Sequence, residues 1–177
     1  GRFELNGVGG AFGDPNSAIA RFRTKCPQTP DACVELGFVV QQGTMMSAPA
    51  HDSAARLFTI ACSRAWQRGC SALELARAYG RGVALAPDLA RRRLTDLCSR
   101  GTRSACTYLG ILLLTTRGGP PDFARADSLF ERSCTLGDSR ACAEWGFGLS
   151  SGRSRPRDRR SGDSVYQQAC SGGSGLG

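Results

Sequence analysis

The sequence has 177 residues, is 41% hydrophobic and carries a formal net charge of +8. Almost all of that charge is arginine, because Lys25 is the only lysine, and we attribute this to a GC-rich genome in preference to anion recognition. No apolar run approaches the length of a transmembrane helix, so the sequence contains no predicted membrane span.

Nine cysteines recur at regular spacing. A first cysteine recurs every 36 positions, at Cys26, Cys62, Cys98, Cys134 and Cys170. A second cysteine follows after seven or eight positions, at Cys33, Cys70, Cys106 and Cys142. A fixed period of this size is typical of stacked supersecondary units, so the sequence predicts a repeat protein.

Paired cysteines at repeating positions favour disulfides and an oxidising compartment. Zinc is the competing interpretation, but no CxxC motif occurs and His51 is the only histidine. The predicted disulfides are Cys26–Cys33, Cys62–Cys70, Cys98–Cys106 and Cys134–Cys142. Cys170 is predicted to be unpaired, because its partner would fall near position 178; the chain is either cut there or uses this thiol otherwise.

The chain divides by composition into three segments. Residues 1–13 are glycine-rich and predict an irregular leader, residues 14–170 contain the repeats, and residues 171–177 predict a glycine/serine tail that begins a truncated repeat.

An aspartate precedes each first cysteine by ten or twelve positions and is a candidate helix N-cap. These aspartates are Asp14, Asp52, Asp88, Asp122 and Asp158.

Helical spacing surrounds each cysteine pair. Four positions before the first cysteines stand large residues, namely Phe22, Phe58, Leu94, Phe130 and Tyr166. Four positions after the second cysteines stand Gly37, Glu74, Gly110 and Gly146. Mid-helix glycine costs about 1 kcal/mol against alanine, so close helix contact is expected at the glycines and a looser or different crossing at Glu74. Glycines such as Gly43, Gly80, Gly118 and Gly152 are then expected to close these helices.

The run Ala105–Gly110 has the pattern AC-x-x-LG, and with the later G-x-G and D-x-x-x-A it resembles the Sel-1-like repeat, a relative of the tetratricopeptide repeat. The cysteine pairs make the sequence most similar to the secreted bacterial cysteine-rich proteins of that family, whose repeats each contain one disulfide. The resemblance implies an all-α, right-handed α/α superhelix (solenoid) of about four and a half disulfide-stapled helix pairs over 14–170. Arg77, Leu113 and Thr116 depart from the family pattern.

The resemblance also implies a scaffold that binds another protein or peptide in a concave groove. Five positions after each second cysteine, about 140° from the core face, the sequence has Phe38, Leu75, Ile111 and Phe147. If at least two of these side chains are partly exposed, they form an apolar ladder suited to a protein partner. Packing on the adjacent helix is the alternative and is common in stacked repeats.

Some cysteine-rich members of this family are penicillin-binding or β-lactamase-like, which makes a hydrolase the alternative function. The Ser-x-x-Lys motif of such enzymes is missing, since Phe22 stands three positions before Lys25. The sequence has neither GxSxG nor HExxH, and His51 is expected to be a solvated loop residue. We therefore predict a protein without catalytic activity, cofactor or metal.

Two further features concern partners and location. The run Arg153–Arg160 contains five arginines and is interpreted as a solvated loop. The alternatives are binding to an acidic partner, to lipid headgroups or to nucleic acid. Nucleic acid is not expected, because no aromatic residue that could stack on bases is interleaved. An incomplete last repeat exposes Val165 and Tyr166 as an open end. We therefore also consider an accessory subunit of a larger envelope-associated complex, in the periplasm or secreted.

Overall fold

The computed structural model describes residues 15–43 and 48–171, with side chains placed for 19–43 and 48–168. Nine α-helices and no strands occur in these ranges. The helices are α1 (Pro15–Lys25), α2 (Pro30–Gln42), α3 (His51–Ser63), α4 (Gln67–Tyr79), α5 (Pro87–Ser99), α6 (Arg103–Leu113), α7 (Phe123–Thr135), α8 (Ser139–Ser151) and α9 (Arg159–Ser171). The predicted all-α class is confirmed.

Several sequence-based predictions fall outside the described residues. They concern the leader at 1–13, the N-cap role of Asp14, the thiol of Cys170 and nearly all of the tail at 171–177. The division of the chain into leader, repeats and tail therefore stays a prediction.

The chain divides into two compact units, Gly1–Arg93 and Leu94–Gly177. Unit 1 contains α1 to α4 and the start of α5, and unit 2 contains the rest of α5 and α6 to α9. Within each unit a helix that ends near a first cysteine is followed, after a tight turn, by a helix that begins near the second cysteine. A longer loop then leads to the next helix.

Each tight turn in the described part of the chain is closed by a disulfide. The four bonds are Cys26–Cys33 and Cys62–Cys70 in unit 1, and Cys98–Cys106 and Cys134–Cys142 in unit 2. The Cα atoms of the bonded pairs lie between 4.4 and 4.6 Å apart. A disulfide-stapled helix-pair repeat is therefore the architecture of both units.

A residue in the left-handed backbone conformation lets the chain reverse direction in each turn whose disulfide joins cysteines eight positions apart. Gly101 and Gly137 have φ angles of 87° and 84°, in the region that glycine enters without steric penalty. The corresponding residue between α3 and α4 is Ala65, with φ 57°. A non-glycine residue there costs roughly 1–2 kcal/mol, and the staple across this turn helps to hold the conformation in place.

The predicted caps are only partly confirmed. Asp122 and Asp158 each accept a hydrogen bond of 3.0 Å from the backbone N–H three residues further on, as an N-cap does. Asp52 and Asp88 instead lie inside the first turns of α3 and α5, where a carboxylate still complements the helix dipole. Gly118 was also predicted wrongly as a helix end, because α6 stops earlier, at Leu113.

Glycines let neighbouring helices approach closely, as the sequence predicts. A methyl group on Gly37 would lie 2.4 Å from Cε1 of Phe58, and one on Gly110 would lie 2.6 Å from Cε1 of Phe130. Both rings are fully buried. At the third glycine, Gly146, a methyl group would lie 3.1 Å from the backbone oxygen of Gly162. The glycines thus leave space that an aromatic ring or another backbone fills.

Glu74 occupies the same repeat position without being a glycine. Its side chain is buried, forms an ion pair with Arg77 and accepts a hydrogen bond of 3.0 Å from Nη1 of Arg93 in the middle of α5. A buried carboxylate needs such partners, because an unpaired one carries a large desolvation penalty. At Glu74 an ion pair therefore stands where the other repeats have a glycine, while the expectation of a looser or different crossing stays a prediction.

We predict that Gly110→Ala destabilises unit 2 by about 1–3 kcal/mol, because the buried ring of Phe130 has no free space to move into. This loss opposes and exceeds the roughly 1 kcal/mol gain in helix propensity. Urea unfolding measures the difference. The additional substitution Phe130→Leu should recover part of the loss relative to Phe130→Leu alone, and additive losses in that double-mutant cycle would contradict a direct contact.

Candidate functional site

The predicted apolar ladder is mostly packed in unit 1. The ring of Phe38 is half-buried, and its centroid lies 5.0 Å from that of Phe58. Leu75 is only 8% exposed. Leu75 is thus packed within the fold, which the prediction allowed because it required partial exposure of only two of the four side chains; helical spacing gives the direction of a side chain and not what covers it.

The two ladder positions of unit 2 are more accessible. Ile111 on α6 is half-buried, and Phe147 on α8 is 55% exposed. The guanidinium carbon of Arg153 lies 6.0 Å from the centroid of the Phe147 ring. Phe147 is thus the most exposed of the four ladder side chains, with more than half of its surface in water. Its role in binding is a proposal.

An arginine on the ladder side of unit 1 is neutralised within the fold. Arg68, two residues before Cys70, donates from Nη1 to a carboxylate oxygen of Asp31 at 2.8 Å and of Glu35 at 2.6 Å. Its guanidinium carbon also lies 5.8 Å from the ring centroid of Phe38. Two carboxylates on α2 therefore bind one guanidinium on α4.

The corresponding arginine of unit 2 has different surroundings. Arg140 stands two residues before Cys142, and its guanidinium carbon lies 5.6 Å from the centroid of the Tyr108 ring on α6. Its Nε is buried without a hydrogen-bond partner in the described part of the chain. Arg140 is thus held by a cation–π contact where Arg68 has two carboxylates.

The two acidic side chains nearest to Arg140 in sequence are engaged elsewhere. Asp138 caps α8, since its Oδ1 accepts from the backbone N–H groups of Arg140 and Ala141 at 3.1 and 3.2 Å. Its Oδ2 accepts a 2.9 Å hydrogen bond from the Thr107 hydroxyl. Glu144, one turn after Arg140, directs Oε2 toward Nη1 of Arg153 at 3.9 Å.

The arginines of the run are exposed except for Arg153, so the interpretation as a solvated loop is corrected for Arg153 alone. Arg153 donates from Nε to Oδ1 of Asp127 at 2.8 Å, and Asp127 is completely buried. The Ser154 hydroxyl donates to the other oxygen of the same carboxylate. A methyl group on Gly148 would lie 2.7 Å from Oδ1, so this glycine leaves room for the ion pair.

The next two arginines of the run also contact their own chain. The guanidinium carbon of Arg155 lies 4.5 Å from the ring centroid of Trp145, and Nη2 lies 3.7 Å from Oε2 of Glu131. Nε of Arg157 donates to the backbone oxygen of Ser150 at 2.7 Å. The run therefore attaches the loop before α9 to α7 and α8.

The N-cap of α9 supplies a prediction about pH. Ser161 donates to Asp158 from its hydroxyl at 2.6 Å and from its backbone N–H at 3.0 Å, and these bonds lower the carboxyl pKa of Asp158 below its usual value of 3.8. The cap thus stabilises α9 above the pKa of the unfolded chain, and this contribution is lost as the pH falls through the folded-state pKa. Ser161→Ala should raise the pKa of Asp158, as followed by carboxyl NMR; an unchanged pKa would contradict the assignment.

Three further sequence-based expectations concern a metal site, His51 and a membrane span. Within 19–43 and 48–168, no group of three or more His, Cys, Asp or Glu side chains could hold a metal ion. His51 is not a solvated loop residue as expected, but the half-buried first residue of α3. No helix in the described ranges is long and apolar enough to cross a membrane.

The fold is similar to that of solved repeat proteins. A Sel1 repeat protein from Oxalobacter formigenes matches with a TM-score of 0.62 and 18% identity over 85% of this chain and 61% of that protein. The protective antigen c5321 of uropathogenic Escherichia coli, described as displaying an SLR fold, matches with a TM-score of 0.55 and 17% identity over 93% of this chain and 35% of that protein. No protein-family model and no curated protein sequence matches the chain.

These similarities identify the fold and agree with the resemblance carried by the AC-x-x-LG pattern. The chain has the Sel1-like repeat fold. It spans less than two thirds of the length of either matched protein.

Proposed function

We propose that this chain, which has the Sel1-like repeat fold, is a non-catalytic scaffold that binds another protein. The observation that carries the proposal is the exposed ring of Phe147 on α8, together with the half-buried Ile111 on α6. Large aromatic side chains are enriched among the residues that dominate the energy of protein interfaces. Both side chains belong to unit 2, which is therefore the proposed binding unit.

The proposed location is outside the reducing cytosol, in the periplasm or secreted. Four disulfides support it, because thiols in the cytosol are kept reduced. A scaffold in such a compartment acts there as an accessory subunit of a larger assembly. The same oxidising conditions must be kept in every binding experiment.

Catalysis is the alternative, and no contact among the described residues favours it. A penicillin-recognising serine enzyme needs a lysine three positions after its nucleophile, and Phe22 stands at that distance before Lys25. The buried carboxylate Asp127 is engaged by Arg153 and Ser154 within the fold. Turnover of a chromogenic β-lactam by the oxidised protein would reverse this ranking.

Site-specific photo-crosslinking tests the binding function. A photoreactive phenylalanine analogue is placed at Phe147 and, in a matched control, at the exposed Ser128 on α7, and each protein is incubated with envelope extract. We expect the probe at Phe147 to crosslink to a discrete protein and the probe at Ser128 not to do so. Equal crosslinking by both probes, or none at Phe147, would contradict a binding site at this position.

A further inference from the structure

We propose that the α6–α8 face of unit 2 binds a peptide segment with an acidic side chain followed by an apolar one. The guanidinium of Arg140 binds the Asp or Glu carboxylate, and Phe147 with Ile111 contacts the apolar side chain. This inference rests on the proposed function, because it names the chemistry of the protein partner. It requires nothing from unit 1.

Arg68 and Arg140 occupy the same repeat position but have different partners. In unit 1, Arg68 receives two carboxylates from its own chain, Asp31 at 2.8 Å and Glu35 at 2.6 Å. The residues at those two repeat positions on α6 are Ser104 and Tyr108. Unit 2 therefore keeps the arginine and replaces both acidic residues, so Arg140 has no carboxylate from the two positions that bind Arg68.

The Arg140 guanidinium lies against the Tyr108 ring. Its Nε is buried without an acceptor among the described residues and is out of reach of a ligand, so the carboxylate binds the terminal Nη groups. Asp138 is used by the α8 cap and by Thr107, and the Glu144 carboxylate faces Arg153. A guanidinium that already rests on the Tyr108 ring is fixed in position and offers donors in the geometry that a carboxylate accepts.

The spacing of Arg140 and Phe147 along α8 suits one short peptide segment. Arg140 and Phe147 are seven residues apart on α8, so they lie on one side of the helix with about 10.5 Å between their positions along its axis. An extended peptide covers that length in roughly three residues. The expected ligand pattern is thus an acidic residue with an apolar residue three positions away.

The charges favour an acidic peptide over nucleic acid. Polyanions are bound by several free cationic side chains along a backbone. In unit 2, Arg153 lies 6.0 Å from the Phe147 ring centroid and pairs with Asp127, and Arg155 contacts Trp145 and Glu131. Arg140 is paired with no carboxylate among the described residues, and it lies one peptide segment away from Phe147 on the same side of α8.

A displayed library of random twelve-residue peptides tests the inference on the oxidised full chain. It is selected against the wild-type protein, and the enriched peptides are titrated against Arg140→Gln, Phe147→Ser and the matched control Arg132→Gln, which removes an equal charge from an exposed site on α7. We expect enrichment of Asp or Glu with an apolar residue three positions away. Affinity should fall about tenfold or more for Arg140→Gln and Phe147→Ser, and little for Arg132→Gln.

Several outcomes would overturn the inference. They are enriched peptides without acidic residues, no enrichment at all, and equal loss of affinity for Arg140→Gln and Arg132→Gln. If any of these occurs while the probe at Phe147 still crosslinks to a protein, only the acidic-peptide chemistry is wrong and the binding function stands. Loss of crosslinking at Phe147 contradicts the proposed function itself.

Discussion

Replacing Asp127 with alanine is expected to lower the free energy of unfolding of unit 2 by about 3–5 kcal/mol. Asp127 is fully buried, and its partner Arg153 keeps only 11% of its side chain exposed. The substitution leaves that guanidinium buried beside the rings of Phe130 and Phe147 without its carboxylate. Urea unfolding followed by circular dichroism measures the loss.

A surface ion pair in the same unit is the control. Asp96 and Arg100 form a pair with exposed side-chain fractions of 62% and 64%, so Asp96→Ala should cost less than about 1 kcal/mol. Joint replacement of Asp127 and Arg153 by leucine should cost less than Asp127→Ala, because no charge is then left buried alone. Equal losses for Asp96→Ala and Asp127→Ala would contradict the buried pair.

Removal of a single disulfide is expected to cost about 2–3 kcal/mol, according to the loop-entropy model for a crosslink that spans eight residues. The double substitution of Cys98 and Cys106 by alanine tests this in unit 2, and the same change at Cys62 and Cys70 tests it in unit 1. Each repeat packs only on its neighbours, so the helix pairs depend on these bonds more than a larger core would.

Reduction of all four disulfides should lower the thermal midpoint further than either double substitution alone. Thermal melts with and without a phosphine reductant compare the two states of one protein. A midpoint that does not change on reduction would show that the disulfides contribute nothing to stability.

The features that could be predicted from the sequence are those that recur with its period. The cysteine pairs repeat every 36 residues, and the glycine–ring contact recurs as Gly37 with Phe58 and Gly110 with Phe130. A repeated contact leaves the same residue types at the same positions, so even one sequence contains several examples of it.

The Asp127–Arg153 pair has no such signal, because it occurs in only one repeat. The residues at the position of Asp127 in the preceding repeats are Ile19, Ala55 and Arg91. Arginine itself recurs with the period, as Arg81, Arg117 and Arg153, but the carboxylate that pairs with Arg153 does not. Burial of this kind depends on where the loop before α9 folds back, and helical periodicity does not determine that path.

The candidate binding site was predicted in part. The sequence predicts that Phe147 projects away from the core, but the same rule applies to Leu75, which is buried. The difference between Arg68 and Arg140 could have been found by aligning the repeats on their second cysteines. Position alone does not show which arginine has its carboxylates, and the contacts of the folded chain supply that information.

Alkylation of the unreduced protein followed by intact-mass measurement tests the central claim that paired cysteines staple each repeat. The chain has nine cysteines, and eight of them form the four disulfides. The account predicts one alkylated thiol, that of Cys170, in protein isolated from its native compartment. Nine alkylated thiols would contradict both the stapled repeats and the oxidising location.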